Sequence, residues 1–268
     1  MNYTVLGAGG FIGRHLVRAL RAHGAACRVP ERDDPSIFDV PLGRVFYCIG
    51  LTADFRSRPY ATVDAHVGIL RSVLERADFD RLVYLSSTRV YSGAPDTVET
   101  AVLSVTAHDA DQLYNLSKLL GESLALASGR DCRVARLSNV LGPDMGPTNF
   151  VGALVDEAAR TGSVHLRSAL DSVKDYIWID DAVSALAAIA DRGVRPIYNV
   201  AGGVNVSHAQ IVDLLRARGV DVSVATDGIV TAFPRIRIAA LTDDTGWVPS
   251  PVLPKLDAWL DSHLQSPS

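Results

Sequence analysis

Cysteine is scarce in this chain and is not arranged for bridging. Only Cys27, Cys48 and Cys132 occur among 268 residues. An odd number with no CxxC spacing excludes a disulfide framework and a cysteine-built zinc site. Each lies in a short apolar run ("AACRV", "VFYCIG", "DCRVARL"), which predicts buried core thiols. The seven histidines are scattered and form no HxxxH pair, so no metal site is expected. Long hydrophobic runs are lacking too. The longest, "AVSALAAIA", is half the roughly 18 residues of a membrane span. Neither charge sign is in excess: 26 Lys and Arg against 30 Asp and Glu leave a net charge of −4. That balance excludes the basic face of a nucleic-acid binder and the Lys/Arg run of a membrane-surface protein. The opening "MNYTVLGAGG" runs as a strand straight into a glycine-rich turn. The expectation is therefore a cytoplasmic protein without a signal peptide.

What is present is apolar and alternating. With 48% hydrophobic residues, the chain can build one large domain or a domain with a smaller lobe. "YTVL" reads as a strand and "GFIGRHLVRALRAHG" as a helix closed by Gly24. The strands "AACRV", "RVFYCI", "RLVYLS" and "CRVARL" follow. Between them run the helices "PYATVDAHVGILRSVLERA" and "ADQLYNLSKLLGESLALAS". Apolar strands alternating with such helices predict an α/β fold, a doubly wound parallel sheet covered on both faces. "LGPDMGPTN" carries breakers and marks a boundary near residue 142. Residues 1–141 then form a nucleotide-binding domain. Residues 142–268 form mostly a small C-terminal lobe, with some segments returning to the first domain. That second part holds a helix near 150–161, the strands "VHLR" and "IYNV", the helices "DAVSALAAIADR" and "HAQIVDLLRAR", and a last helix after "VPSPVLP". The tail "QSPS" is expected to fray.

Three motifs carry chemistry. "GAGGFIG" spaces Gly7, Gly10 and Gly13 three apart, after a strand and before a helix. Such a turn lets a pyrophosphate approach the backbone and the helix N-terminus; the alternative is a turn that only packs tightly. The second strand runs into "VPERDD". Glu31 stands where a carboxylate would bond the ribose hydroxyls, favouring NAD, while Arg32 would accommodate a 2′-phosphate, favouring NADP. Strand alternation lets only one of the two face the ribose. "YLSSTRVY" ends a strand on hydroxyls at the carboxyl edge of the sheet, either as a ligand site or as a turn cap. Finally, "YNLSK" puts Tyr114 and Lys118 one helical turn apart, on one face.

Taken in order, these segments resemble the extended short-chain dehydrogenase/reductases of the NAD-dependent sugar-nucleotide epimerase/dehydratase family, a Rossmann-type fold. "GAGGFIG" is similar to its GxxGxxG, "LSSTRVY" to its SSxxVYG, and "YNLSK" with Glu122 to its YxxSKxxxE. "RLSNVLGP", "KDYIWIDDAVSAL", "IYNVAGG" and "RIRIAALTDDTGWVP" are similar to its later segments. The resemblance implies a catalytic set of Ser87, Tyr114 and Lys118. Tyr114 would be the acid/base, activated by Lys118 and the nicotinamide, and Ser87 would position the substrate oxygen. It implies cofactor contacts at Gly7, Gly10, Phe11, Ile12, Gly13, Glu31, Arg32 and Gly50, joined by Tyr114 and Lys118. Substrate contacts would come from Ser87, Asn139, Lys174 and Arg235, and Asp180 and Asp181 would cap a helix. The implied cofactor is NAD, with NADP as the alternative. The implied partner is a nucleotide sugar, with a homodimer allowed. Two departures stand out. Between "PERDD" and "RVFYCIG" only "PSIFDVPLG" remains where the family has a helix and a strand ending in an adenine-contacting Asp. This predicts an open adenine pocket, with Asp39 a weak substitute. Thr88 and Arg89 stand where the family's dehydratases carry Asp-Glu, which favours an epimerase or a keto-reductase. A carbonyl reductase on non-sugar substrates and a non-catalytic dinucleotide sensor are the readings outside this class.

Overall fold

The computed structural model describes residues 2–52, 54–147 and 149–264; the tail "QSPS" lies outside them. β1 (Asn2–Leu6) leads through the glycine turn into α1 (Phe11–Ala22). Gly24, at φ 74°, then turns the chain into β2 (Ala26–Arg28). The next crossover contains one 3-10 turn, Pro35–Phe38, before β3 (Arg44–Tyr47). The helix expected over residues 59–77 is interrupted. α2 (Pro59–Val63) and α3 (Ile69–Arg76) are joined by a π turn over Asp64–Gly68. β4 (Arg81–Ser87) follows. The Tyr47 hydroxyl donates to the Ala65 carbonyl at 2.7 Å and the Tyr84 hydroxyl to the His66 carbonyl at 3.2 Å, so two strand tyrosines satisfy carbonyls of the irregular turn. α4 (Leu113–Ala127) begins three residues later than its pattern suggests, because Ala110–Gln112 form a 3-10 turn capped by Asp109. β5 (Cys132–Leu137) completes this half.

In the second half the chain runs through β6 (Asn139–Leu141), α5 (Phe150–Thr161), β7 (Ser163–Ser168), β8 (Val173–Trp178) and α6 (Ile179–Arg192). β9 (Ile197–Val200), β10 (Asn205–Ser207), α7 (His208–Arg216), β11 (Asp221–Ile229), α8 (Ala239–Thr245) and α9 (Val252–His263) follow. β6, β8, β10, β11 and α8 had no counterpart in the sequence reading. β6 and β10 are three residues long, β8 runs directly into α6, and β11 is mostly exposed and polar. Asp180 and Asp181 lie in the first turn of α6 rather than at its cap, which is Trp178. There their charges complement the positive end of the helix dipole, and Asp181 also pairs with Lys255 at 3.0 Å. Among the described residues no helix is long and apolar enough to cross a membrane.

The main sheet has the order β2-β1-β3-β4-β5-β9, and every pairing in it is parallel. Side-chain alternation divides the core into two faces. Tyr3, Val5, Phe46, Val83 and Leu85 pack with α1 and α6, while Val45, Tyr47, Leu82 and Tyr84 pack with α3 and α4. β6, β8 and β10 form a three-stranded sheet, and β7 pairs with β11. The thiols fit this core unevenly. Cys132 is buried, but Cys27 and Cys48 are only partly so, contrary to expectation. Cys48 stands one residue past β3, where the sheet opens.

One buried polar network fastens α4 to the sheet. Glu122 accepts from Ser86 of β4 at 2.5 Å and from the Arg136 guanidinium of β5 at 2.6 Å. Both ionic side chains are 4% exposed. Arg136 also donates to the Tyr91 hydroxyl at 2.8 Å, and Tyr91 donates to Asn199 of β9 at 2.9 Å. Removing one partner of a buried pair strands the other charge, which costs about 3–5 kcal/mol. Glu122→Ala is expected to lower the unfolding free energy by that amount in urea titration. A loss below about 1 kcal/mol would contradict this account of the core.

Candidate active site

A cavity of about 910 Å³ opens at the carboxyl ends of β1, β2 and β3. The strand order reverses there, between β1 and β3, which is the ligand crevice of open α/β sheets. The three motif glycines do different things. A Cβ on Gly7 (φ 82°) would lie 2.8 Å from the Cys48 carbonyl carbon, and one on Gly13 would lie 2.4 Å from the Gly7 oxygen. Those two positions keep the turn closed against β3 and α1. At Gly10 a Cβ would meet only the Gly7 oxygen, at 3.4 Å, so its free side faces the cavity. Gly10 is also the N-cap of α1 and supplies no side chain to the first turn. The N–H groups of Phe11, Ile12 and Gly13 have no partner within the helix. This cradle suits a pyrophosphate.

Glu31 and Arg32 both line the cavity. The alternation argument does not separate them, because β2 ends at Arg28 and both stand on the following turn, where Asp33 has φ 61°. The far wall includes Ile37 and Phe38, with the Arg76 guanidinium 3.8 Å above the Phe38 ring. These residues close a side that the missing helix and strand leave free. Asp39 is exposed and does not line the cavity.

From the cavity, Gly50 and Leu51 lead to the candidate catalytic residues. Tyr114 is buried, and its hydroxyl is hydrogen-bonded with the side chains of Ser87 and Thr52. Burial raises its pKa; the two hydroxyls and the Arg89 guanidinium oppose the rise. The Lys118 ammonium donates to the Leu85 carbonyl at 2.8 Å, and burial pulls its pKa down to about 7, against the pull of Glu122. The cation acting on the phenol is Arg89, with Cζ 5.3 Å from the Tyr114 ring centroid. A Cβ on Gly50 would lie 3.4 Å from the Lys118 Nζ, and Gly50 lines the cavity, so the ammonium stands close to the cavity edge. Ser87 caps the 3-10 turn Thr88–Tyr91 by accepting from the Arg89 N–H at 3.2 Å. The strand-end hydroxyl therefore serves both as a turn cap and as a Tyr114 partner.

His66, in the π turn, gave no signal in the sequence. Its Nε2 accepts from the Leu51 N–H at 3.3 Å, so Nδ1 carries the proton that Ser117 Oγ accepts at 2.8 Å. Its ring stands edge-on to Tyr114 at 5.4 Å. Burial first, then Lys118, lowers its pKa to about 3, so it is neutral at neutral pH. It ties the cavity edge to α4.

The substrate-side residues separate. Lys174 lines a second cavity of about 360 Å³ with Phe150 and His208, whose rings stack at 4.4 Å. The Lys174 Nζ lies 5.1 Å over Phe150. His208 Nε2 is buried without a partner. Asn139 is exposed and donates to the Asp175 carbonyl at 2.8 Å. Arg235 is exposed, binds the Gly203 carbonyl at 2.5 Å, and lines neither cavity. Lys174 therefore lines the second cavity, while Arg235 is directed into the backbone. Arg89, His66, Phe150 and His208 join the site unannounced. The one available signal was the place of Arg89 two residues after Ser87.

Among curated relatives, dTDP-glucose 4,6-dehydratase of Streptomyces griseus is 33% identical over 114 residues, covering 40% of this chain and 35% of that protein. The matches span 35% and 49% of the first two curated relatives' own length. Among solved structures, RMD from Pseudomonas aeruginosa complexed with NADPH superposes with a TM-score of 0.81 at 22% identity, covering 99% of this chain and 100% of that one. MoeE5 in complex with UDP-glucose and NAD gives 0.81 at 22%, covering 98% and 97%. At these identities the structural likeness carries the fold. The family profile matches residues 3–201, and the chain belongs to the NAD dependent epimerase/dehydratase family.

Proposed function

We propose that this enzyme acts on a nucleotide-linked sugar by hydride transfer at a carbinol carbon, C4 of the sugar, with Tyr114 as the acid/base. The observation that carries this reading is the placement of Tyr114, Ser87 and Thr52 in one hydrogen-bonded group beside the glycine-lined cavity. The bound dinucleotide supplies the hydride acceptor. The chain's own residues do the rest. Ser87 and Thr52 hold the phenol and share its proton, and Arg89 favours its ionised form. A phenolate so placed takes the hydroxyl proton of the carbinol. Lys118, hydrogen-bonded to the Leu85 carbonyl beside Gly50, would hold the nicotinamide ribose. Lys174 and the Phe150–His208 stack suit a phosphate and a flat base. MoeE5 binding UDP-glucose and NAD on the same fold supports the ligand class.

Thr88 and Arg89 provide no acid/base pair beside Ser87, which leaves epimerisation ahead of dehydration. A second reading, an NADPH-dependent keto-sugar reductase, is favoured by Arg32 on the cavity wall and by the NADPH complex of RMD.

Three measurements test these roles. Tyr114→Phe removes the acid/base and is expected to lower turnover of a responsive nucleotide sugar about 10²–10⁴-fold, with dinucleotide affinity nearly unchanged. A near wild-type rate removes Tyr114 from the mechanism. Gly10 has φ −74°, and a Cβ there would make only one contact, 3.4 Å from the Gly7 oxygen, so Gly10→Val is expected to fold normally yet lose NAD binding in calorimetric titration. Unchanged affinity would reduce the glycine turn to a packing device. For cofactor choice, NAD is expected to bind more tightly than NADP, and Glu31→Ala to narrow the difference. If wild type prefers NADP and Arg32→Ala abolishes that preference, the reductase reading replaces the epimerase.

A further inference from the structure

Arg89 is a partly buried cation with no acid to neutralise it. Its guanidinium stacks over Phe55 at 5.0 Å and Tyr114 at 5.3 Å. Phe55 is itself buried and packs on Tyr114 at 5.7 Å. Among the described residues no carboxylate forms an ion pair with Arg89, and the acid that acts on it from a distance, Asp111, is paired with Arg56. On its other side Arg89 acts on Lys174, whose pKa it helps to lower. The two cations therefore stand near enough to repel one another, and among the described residues neither forms an ion pair. A guanidinium held this way is costly unless a ligand brings a negative charge, and its planar fork matches a carboxylate.

Resting on the nucleotide-sugar reading, we propose that Arg89 recognises a carboxylate carried by the sugar, so that the substrate is a nucleotide-linked uronic acid. A sugar whose reacting carbon meets the Tyr114 hydroxyl presents its neighbouring ring substituents to the cation stacked on that same ring. The diphosphate is the other source of negative charge. It belongs nearer Lys174, which lines the second cavity while Arg89 does not. A neutral hexose would leave the guanidinium desolvated and unpaired.

The test is kcat/KM and calorimetric affinity of the NAD-loaded protein for glucuronic acid and glucose, each carried on UDP and on dTDP. These are measured for wild type, Arg89→Ala and Arg89→Lys. Wild type is expected to prefer the uronic acid by at least about 10-fold, as for a charge-assisted hydrogen bond. Arg89→Ala is expected to bring that ratio close to one, and Arg89→Lys to leave an intermediate ratio because the charge stays and the fork is lost. No preference in wild type, or a preference that survives in Arg89→Ala, overturns the assignment while leaving the nucleotide-sugar reading intact. An equal loss on both sugars in Arg89→Ala also overturns it, since Arg89 would then read the diphosphate or serve only Tyr114. Binding of none of the four compounds overturns both readings.

Discussion

The buried contact between Glu122 and Arg136 sets the position of nearly everything in the active site. It joins α4 to β5, and through Ser86 to β4. Tyr114 and Lys118 ride on that same helix, and Ser87 ends that same strand. A shift of α4 along the sheet would break the carboxylate's contacts with Ser86 and the guanidinium together, so the phenol and the Ser87 hydroxyl are held in register by an interaction that touches no ligand. The close approach is enforced sterically as well. A Cβ on Gly121 would lie 2.3 Å from the Tyr84 hydroxyl and 2.7 Å from the His66 carbonyl. α4 can sit this deep only because residue 121 is glycine. Glu122 also reaches Lys118 electrically: its charge is the largest influence holding the buried ammonium's pKa up.

That depth has an electrostatic consequence. Tyr114, Lys118 and His66 are all nearly or fully removed from water, and burial is the leading cause of the shift at each. The phenol moves up, while the lysine and histidine move down, each toward its neutral form. The protein supplies few compensating charges. Arg89 is the cation that acts on the phenol, and the Ser87 and Thr52 hydroxyls stabilise its oxygen by hydrogen bonds. A site so desolvated is responsive to charge brought in by its ligands, because Coulomb interactions strengthen as the effective dielectric falls. The neutral His66 fits the same logic. It orders Leu51 and Ser117 by hydrogen bonds without adding a second cation beside Lys118.

What could be read from the sequence was whatever repeats with a period or closes in a tight turn. The strands of the main sheet carry apolar runs, and their helices carry one apolar face. Accordingly β1, β3, β4, β5, β9, α5 and α6 fall where their patterns place them. The GxxGxxG turn and the Tyr-x-x-x-Lys spacing were legible because local geometry alone gives them meaning. The rest depends on contacts distant in sequence. The π turn that presents His66 is steadied by tyrosines about 20 residues to either side. β8 carries a lysine and an aspartate in its first half, and the Asp175 side chain is buried among backbone N–H groups of the loop after β9. Nothing within the strand's own residues announces that. Arg235 matched a motif, yet its guanidinium is taken by the Gly203 carbonyl. Arg89 was visible only as the absence of an acid, and its stack with Phe55 and Tyr114 requires the folded chain.

The short crossover between β2 and β3 shapes one wall of the cavity. With no helix and outer strand there, β2 becomes the edge of the main sheet, and the cavity wall beyond it is built from one 3-10 turn and the Phe38–Arg76 stack. The turn is steadied locally. Asp34 caps it through the Ser36 N–H at 2.9 Å, and Arg28 donates to the Ser36 hydroxyl at 2.7 Å. This places Glu31 and Arg32 on a short bend outside the sheet, where neither is held by strand pairing. In a longer crossover, strand geometry would select one side chain for the ribose. Here both remain on the cavity wall, so a carboxylate and a guanidinium of the same bend are presented to one cavity, and the bend leaves both within its lining.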